Sequence, residues 1–548
     1  MTVSGGLRPW RSADAFFTLP THSKDKSSLD LWIAEGKSAA AAAAGGGSKR
    51  TRRKVMAVLV VFLIVLSVRW YSPWGLPSWV SLRSTTAAPP CGAPICLPTN
   101  TALRPLLADS ESALRHTIWD WHGLARRARL FRSLLLARYT PEGEPRIACD
   151  DDNDGRRRRG GVINEHTLAT LDHAIASIEA NIYPWVTQGG KYANVAELLA
   201  SYAGSGIVMT TGNFHADHAV LAIRNIRKLG CVLPVQLFYL DEQDLSTDHR
   251  ATLAALADVQ IISITTLVDV HASARGKRSA RLGWEMKPFA ILASTFRHAI
   301  FIDADVVFLQ NPERMLDYAI YKGAGTVLFR DRTLYPGGKP TEAFFVEVMD
   351  GLEPSAMYRE GRVGRKLSVH EGESGVVVVD KVRNFHALLM TTLMNAPGPY
   401  KDDMYGVIHG DKESYWMAHE MLNLPYAWAP GGGGTIGFHT RSTSENVTTI
   451  CGQLYHPDPS WKPLWMNGGI TANKHTGAEG STALAFSHWA TDPDWINVQW
   501  EWEKADRPFC LLRYTVDKGR TWNELTEEEK GVLDDAERMW AEIKEVKA

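Results

Sequence analysis

The sequence is short of cysteine, of net charge and of long apolar runs. Six cysteines in 548 residues are too few to build a disulfide scaffold in place of a hydrophobic core. Lys and Arg number 60 against 61 Asp and Glu, so no bulk positive field favours nucleic acid, and none is expected as a partner. Continuous apolar sequence is scarce too. The run Val55 to Val68 has 14 residues, short of the roughly 20 that cross a bilayer as a helix. What is present, 45% hydrophobic and 22% charged residues, excludes a mainly disordered or collagen-like chain. The length suggests two to four structural units. Nineteen tryptophans are generous, and stacking on sugar faces or ordinary core packing would each use them.

The apolar run follows Lys49-Arg50-Thr51-Arg52-Arg53-Lys54 and precedes Arg69, Trp70, Tyr71 and Trp74. Flanking basic and aromatic side chains lengthen a short span, and the basic cluster keeps the N-terminus cytosolic. The expected organisation is therefore a disordered cytosolic tail over 1–54, a single transmembrane anchor over 55–71 and a stem with a helical region over 72–160. An α/β domain over 161–500 and a C-terminal helical extension over 501–548 complete it. A short span suits an early-secretory membrane. In that type II topology the sequon Asn446-Val447-Thr448 is lumenal and glycosylatable. Cys91 and Cys96 could pair in the stem, Cys149, Cys451 and Cys510 could supply another bridge, and Cys231 precedes a buried strand. Spacing does not fix the pairing.

From Gly206 strands and helices alternate. Ile207–Thr211, Val235–Leu240, Val259–Ile264 and Ala299–Asp303 read as strands, with helices over Phe214–Lys228 and Met286–Phe296. Helices Ala108–Tyr139 and Glu165–Ala180 are expected upstream. Strands separated by helices of this length imply a mostly parallel central sheet covered on both faces. Ligands then bind beyond the carboxyl ends of the strands. Asp303-Ala304-Asp305 stands at such an end. Two carboxylates there repel unless a cation compensates, and a divalent metal with a bound diphosphate would do so.

With these residues the sequence resembles the fungal α-mannosyltransferases of glycosyltransferase family 71, the α-1,3-mannosyltransferase group. The resemblance is carried by Glu285-Met-Lys287-Pro-Phe-Ala-Ile-Leu-Ala-Ser-Thr-Phe296, by the Asp303-Ala-Asp305 strand, by Glu373-Ser-Gly375-Val-Val-Val-Val-Asp-Lys381, and by Gly410-Asp-Lys-Glu413-Ser-Tyr-Trp-Met-Ala418. It implies a GT-A fold, a GDP-mannose donor, Mn²⁺, a mannose-containing glycan acceptor, the Golgi membrane, and companion subunits of a transferase complex as an open question. The retaining galactosyl- and glucosyltransferases of family 8 are a more distant likeness. They pair Asp-x-Asp with a late His six residues before Lys-Pro, a spacing that His456 and Lys462-Pro463 reproduce, with Pro459 where the family has glycine.

The two resemblances imply roles. Asp303, Asp305 and His456 would hold the metal, with His439 the competitor of His456. Thr210, Thr211 and Gly212 would contact the nucleoside. Lys287, Asp303, Ser374, Gly375 and Lys462 would bind the donor, Lys462 neutralising the departing diphosphate and Gly375 letting the backbone approach the sugar. Asp411 and Glu373 would act at the reaction centre, although Asp411-Lys412-Glu413 would also suit a helix dipole. His215 and His218, at the start of a helix, read as structural. Two other readings compete: a haloacid-dehalogenase-like phosphatase with Asp303 as nucleophile, and a non-catalytic glycan-binding protein.

Overall fold

The computed structural model describes residues 96–113, 121, 123–147, 163–188, 190–273, 282–332, 339–441, 448–471, 484–491, 499–501, 509–513 and 522–545. The apolar run Val55–Val68, the sequon at Asn446, Cys91 and Cys149 lie outside them. Among the described residues no helix is long and apolar enough to cross a membrane.

The first sheet is built from β1 (Ala203–Thr210), β2 (Val235–Tyr239), β3 (Val259–Ser263), β4 (Phe296–Asp303), β6 (Thr326–Arg330) and β7 (Gly372–Asp380), while β5 (Val306–Phe308) lies outside it. Its order is β3-β2-β1-β4-β7-β6. The first four strands pair in parallel, and β7 runs antiparallel to both of its neighbours. The centres of β1, β4 and β7 (Ile207–Met209, Ala299–Ile302 and Val376–Val379) are unbroken apolar runs because both faces are covered there. Val208, Phe301 and Val377 belong to one core, whereas Ile207, Met209, Ile300, Ile302, Val376 and Val378 belong to the other.

The first core holds α1 (Leu124–Arg138), α2 (Glu165–Ile182), α4 (Met286–Ala293), α5 (Phe385–Asn395) and α6 (Ser414–Met421). The region expected as a stem thus supplies core: Leu124, Phe131 and Leu135 are buried, and Arg129 donates to the Met421 carbonyl at 2.6 Å. Residues 94–548 form one compact unit, so its boundary falls well before residue 161. The reason is the apolar stripe of α1, which needs a partner face. On the other face lies α3 (Ala216–Lys228), covered in turn by α7 (Glu527–Glu545) through Lys544–Asp217 at 2.8 Å and Arg224–Glu542 at 3.3 Å.

A second sheet was not anticipated by the helix–strand alternation. It is antiparallel, with β8 (Gly434–Arg441), β9 (Thr448–Pro457), β10 (Pro463–Asn467), β11 (His488–Ala490), β12 (Gln499–Glu501), β13 (Cys510–Arg513) and β14 (Trp522–Glu524). The segment 501–548, expected to be helical, therefore starts as strand, and among its described residues the helix is α7. The Cys451–Cys510 disulfide ties β9 to β13. Cys96 is also disulfide-bonded, and Cys231 is free and buried. Strand β10 joins this sheet to β5, whose Phe308 is clamped at both its N–H and its carbonyl by buried Asn225 of α3 (2.8 and 3.0 Å).

His386 of α5 packs edge-on against Phe131 and Phe385. Burial, helped by the Arg132 charge, pushes its pKa down to about 3. The neutral ring therefore contributes stability above the unfolded value near 6.5, and that stability is lost as pH falls below it. Replacing His386 by Met should flatten the acid side of the stability profile by one proton, about 1.4 kcal/mol per pH unit. Urea midpoints for both proteins between pH 6.5 and 4.5 check this.

Candidate active site

The carboxyl ends of β1 and β4 open onto a cleft of about 670 Å³. Thr210, Thr211, Gly212, Lys287, Asp303 and Asp305 all line it. Thr210 pairs with Asp303 across the β1–β4 ladder, so parallel pairing alone delivers both ends to one place. Gly212 has a packing reason: a Cβ there would fall 2.6 Å from Asp244 Oδ1. His215 also lines this cleft, contrary to the structural role expected for it. Phe214 and Trp284 complete the rim. Neither carries a sequence signal, since only the tertiary structure leaves them exposed.

Lys287, in the first turn of α4, is the centre of the buried charge. Its Nζ donates to Asp303 Oδ2 at 2.7 Å and to Ser374 Oγ at 3.3 Å, and lies 3.8 Å from Asp411 Oδ1. Ser374 Oγ in turn donates to Asp411 Oδ1 at 3.1 Å. Burial opposes the charge on Lys287, but Asp303 and Asp411 outweigh it and raise its pKa. Burial lifts Asp303 to about 7 against the pull of Lys287, and Asp305 pushes it further. Asp411 is raised by burial as well, against the pull of Lys287 and of its contacts with Ser374 and the buried Tyr415 hydroxyl. At the far end of α4, buried Lys381 caps the last carbonyls, donating to Ile291 O at 3.0 Å, which fixes the helix that aims Lys287.

Glu373 lies inside β7, one residue before Ser374. Its Oε1 accepts from Asn467 Nδ2 and from the Gly375 N–H, both at 2.9 Å. Burial raises its pKa, with Asp331 adding to the effect. Beyond it stands a second charged group, in which Lys412 Nζ donates to Asp331 Oδ2 at 2.6 Å. Burial works against ionisation of Asp331, yet Lys412 and Arg332 hold it well below the usual carboxylate range. Glu413 accepts from the Glu371 and Gly372 N–H groups (3.0 and 2.9 Å) and from Trp416 Nε1 (2.7 Å). It thereby ties the start of β7 to α6. The Gly468 and Gly469 N–H groups donate to the Asp305 carbonyl at 3.2 and 2.8 Å. Both glycines have positive φ (111° and 74°), the conformation that lets two successive amides converge on one oxygen.

The structure thus unites Thr210, Thr211, Gly212, Lys287, Asp303, Asp305, Ser374, Asp411 and Glu373. It does not gather His456 with them. His456 of β9 faces Trp465, which faces Phe308 of β5, about 10 Å of strand beyond Asp305. Its ring stacks on Trp465 at 4.2 Å and meets Phe329 edge-on at 5.2 Å. Burial pushes its pKa down to about 3, and its charged neighbours are Asp331, Arg332 and Arg362 rather than the Asp pair. Lys462 is exposed in the turn between β9 and β10, a turn tied to Gln310 at the opposite end of β5 from Asp305. The His-to-Lys spacing is that of a β-hairpin. Gly375 does not open the backbone to a sugar, because a Cβ there would meet Asn467 Nδ2 at 2.8 Å and Trp465 at 3.2 Å. His439 stacks on Trp522 in the second sheet.

The donor set suits a hard divalent cation. Lys287 is the ammonium paired with Asp303 and Asp411, while Asp305 and Glu373 add further negative charge. Among the described residues no three ligating side chains converge. Two carboxylates with diphosphate oxygens and water completing the shell is a common way to hold Mg²⁺ or a similar ion.

Removing Lys287 should cost stability in a pH-dependent way. In Lys287→Met the buried carboxylates lose their counter-charge, so their folded pKa values rise further and stability falls as pH rises. The expected loss is about 3 kcal/mol at pH 8 and less at pH 5.5, where Asp303 takes a proton. Denaturant unfolding at the two pH values measures it.

Residues 204–458 match the family model described as "Mannosyltransferase putative". The Candida albicans "Putative alpha-1,3-mannosyltransferase MNN14" is 28% identical over 44% of this chain and 40% of its own length. The Saccharomyces cerevisiae "Alpha-1,3-mannosyltransferase MNT3" is 29% identical over 35% of this chain and 34% of its own. The chain therefore spans well under two thirds of these relatives. Among solved structures, the S. cerevisiae mannosyltransferase Ktr4p in complex with GDP aligns over 59% of this chain and 84% of its own, at 10% identity and a TM-score of 0.28. The matched segment begins in β1, ends just after β9 and contains the cleft and its charged network. The chain is thus similar, over part of its length, to curated fungal α-1,3-mannosyltransferases.

Proposed function

We propose that the chain is a retaining α-mannosyltransferase with a GT-A type catalytic domain. It would move mannose from GDP-mannose to a hydroxyl of a mannose-containing glycan. The observation that carries this reading is the cleft that Thr210–Gly212 line together with Lys287, Asp303 and Asp305, inside the segment that matches the mannosyltransferase family. The nucleoside would lie against Thr210, Thr211 and Gly212, and the diphosphate against the Asp pair. Lys287, Ser374 and Asp411, already bonded to one another, would orient the mannose hydroxyls, with Lys287 lining the cleft and buried Asp411 fixing it from behind. Glu373, held by Asn467, adds negative charge beside the anomeric carbon, where positive charge develops.

A divalent ion, Mn²⁺ in this reading, would be held by Asp303 and Asp305 and would supply Lewis-acid stabilisation of the leaving diphosphate. The bond from the anomeric carbon to the diphosphate oxygen breaks, GDP leaving with the electron pair, and a bond to the acceptor oxygen forms with net retention, by attack on the face the diphosphate leaves or through a covalent intermediate, while the acceptor hydroxyl's proton passes to the departing diphosphate. Type II anchoring through Val55–Val68, a Golgi location with the domain lumenal, and glycosylation of Asn446 belong to the same proposal. They are supported by the basic flank and the short apolar run. The phosphatase and glycan-binding readings have no support in the family match. The buried partnership of Asp303 with Lys287 also ill suits a nucleophile, which must be free to attack phosphorus.

The test is incubation of the detergent-solubilised chain with Mn²⁺, GDP-mannose and α-mannobiose. GDP and an α-linked trisaccharide are expected, with the rate falling at least 100-fold in Asp305→Asn while the fold is retained. Inorganic phosphate without GDP or trisaccharide would contradict the reading.

A further inference from the structure

Among the described residues five large apolar side chains are exposed, and two of them, Phe214 and Trp284, line this one cleft. Their positions differ. Phe214 adjoins Thr211 and Gly212 on the β1 side. Trp284 stands on the Lys287 side, where its carbonyl accepts the Lys287 N–H at 3.1 Å. An indole left 48% exposed forgoes burial, and here its geometry is built from outside the helix. Gly410, at φ 68°, passes so close that a Cβ would fall 2.8 Å from Trp284 Cε3. The His409 ring stacks against the indole at 4.8 Å with a 54° tilt. The next residue is Asp411, which reaches Lys287. The backing of Trp284 and the donor-sugar network are therefore consecutive in the chain on both sides of the contact. His409 flanks the indole, and Glu285, the residue after Trp284 in the chain, lies 3.6 Å from Lys401.

We propose that Trp284, backed by His409 and Gly410, is the platform on which the acceptor mannoside stacks. The inference rests on the mannosyltransferase reading of the cleft. A donor laid from Thr210–Gly212 to Asp303 and Asp411 places its sugar at the Lys287 end. The ring that receives the sugar must lie next beyond it, towards solvent, which is where Trp284 presents its open face. An aromatic plane with a few polar groups around it is the composition that binds a pyranose, whose C–H face stacks while its hydroxyls hydrogen-bond. Phe214, two residues after Gly212, belongs to the nucleoside end of the cleft in this reading.

Two readouts test this on the full chain in detergent. Saturation-transfer NMR with α-mannobiose reports contact with the disaccharide without any turnover, and transfer kinetics separate the KM for α-mannobiose from that for GDP-mannose. Trp284→Ala should lose the NMR contact and raise the KM for α-mannobiose about tenfold more than the KM for GDP-mannose. Trp284→Phe should keep most of both, with thermal midpoints showing that each variant is folded. Three results would overturn the platform: unchanged α-mannobiose contact in Trp284→Ala, a rise that falls on GDP-mannose instead, or no α-mannobiose contact in the wild type. If the wild type binds α-mannobiose through Trp284 but releases no GDP from GDP-mannose, the donor reading fails and the platform stands.

Discussion

The site depends on one buried ammonium. Lys287 holds Asp303 at 2.7 Å and Asp411 at 3.8 Å, with Ser374 bridging the two sides. These contacts bring strand β4, strand β7 and the segment leading into α6 to a common point. An unpaired buried charge costs several kcal/mol, so the pairings fix the geometry. A metal with a bound diphosphate would meet the Asp303 and Asp305 carboxylates together. Lys381, capping the far end of α4, and Glu413, tying the start of β7 to α6, hold the scaffold around it.

The second sheet gives the Asp pair its support. Strand β10 pairs with β5, immediately after Asp305, and its Asn467 holds Glu373. The glycines that follow donate two amides to the Asp305 carbonyl. The backbone of Asp305 is therefore fixed from outside the parallel sheet, and α3, through Asn225, fixes the other end of β5. Helix α7 in turn covers α3, so the C-terminal segment stabilises the site without entering it.

The parallel strands were legible because burial on both faces writes them as unbroken apolar runs, and Asp303, Asp305 and Thr210–Gly212 were legible because ligands gather at strand ends. Lys287, Ser374 and Asp411 came from resemblance, since nothing in their spacing announces a shared contact. The antiparallel strands carry no such signal, because β8 and β9 mix polar and apolar residues and β11 to β14 are only three or four residues long. His456 and Lys462 misled for a physical reason: a hairpin also sets a six-residue interval, and the imidazole is used as an aromatic packing surface on Trp465. Gly375 was read as room for a sugar when the room is for Asn467 and Trp465. Helix α1 was assigned to a stem because sequence shows an apolar stripe but not what covers it. Trp284 could not have been distinguished from 18 other tryptophans.

The central claim is that the carboxylate excess around Lys287 is a metal–diphosphate site completed by substrate oxygens rather than by His456. A crystal structure of the chain with Mn²⁺ and GDP, using the manganese anomalous signal, tests it most directly. The account predicts one Mn²⁺ bound by oxygens of Asp303 and Asp305 at about 2.2 Å, with diphosphate oxygens in the remaining positions and His456 still stacked on Trp465. Manganese bound to His456, or GDP lying away from Asp303 and Asp305, would contradict it.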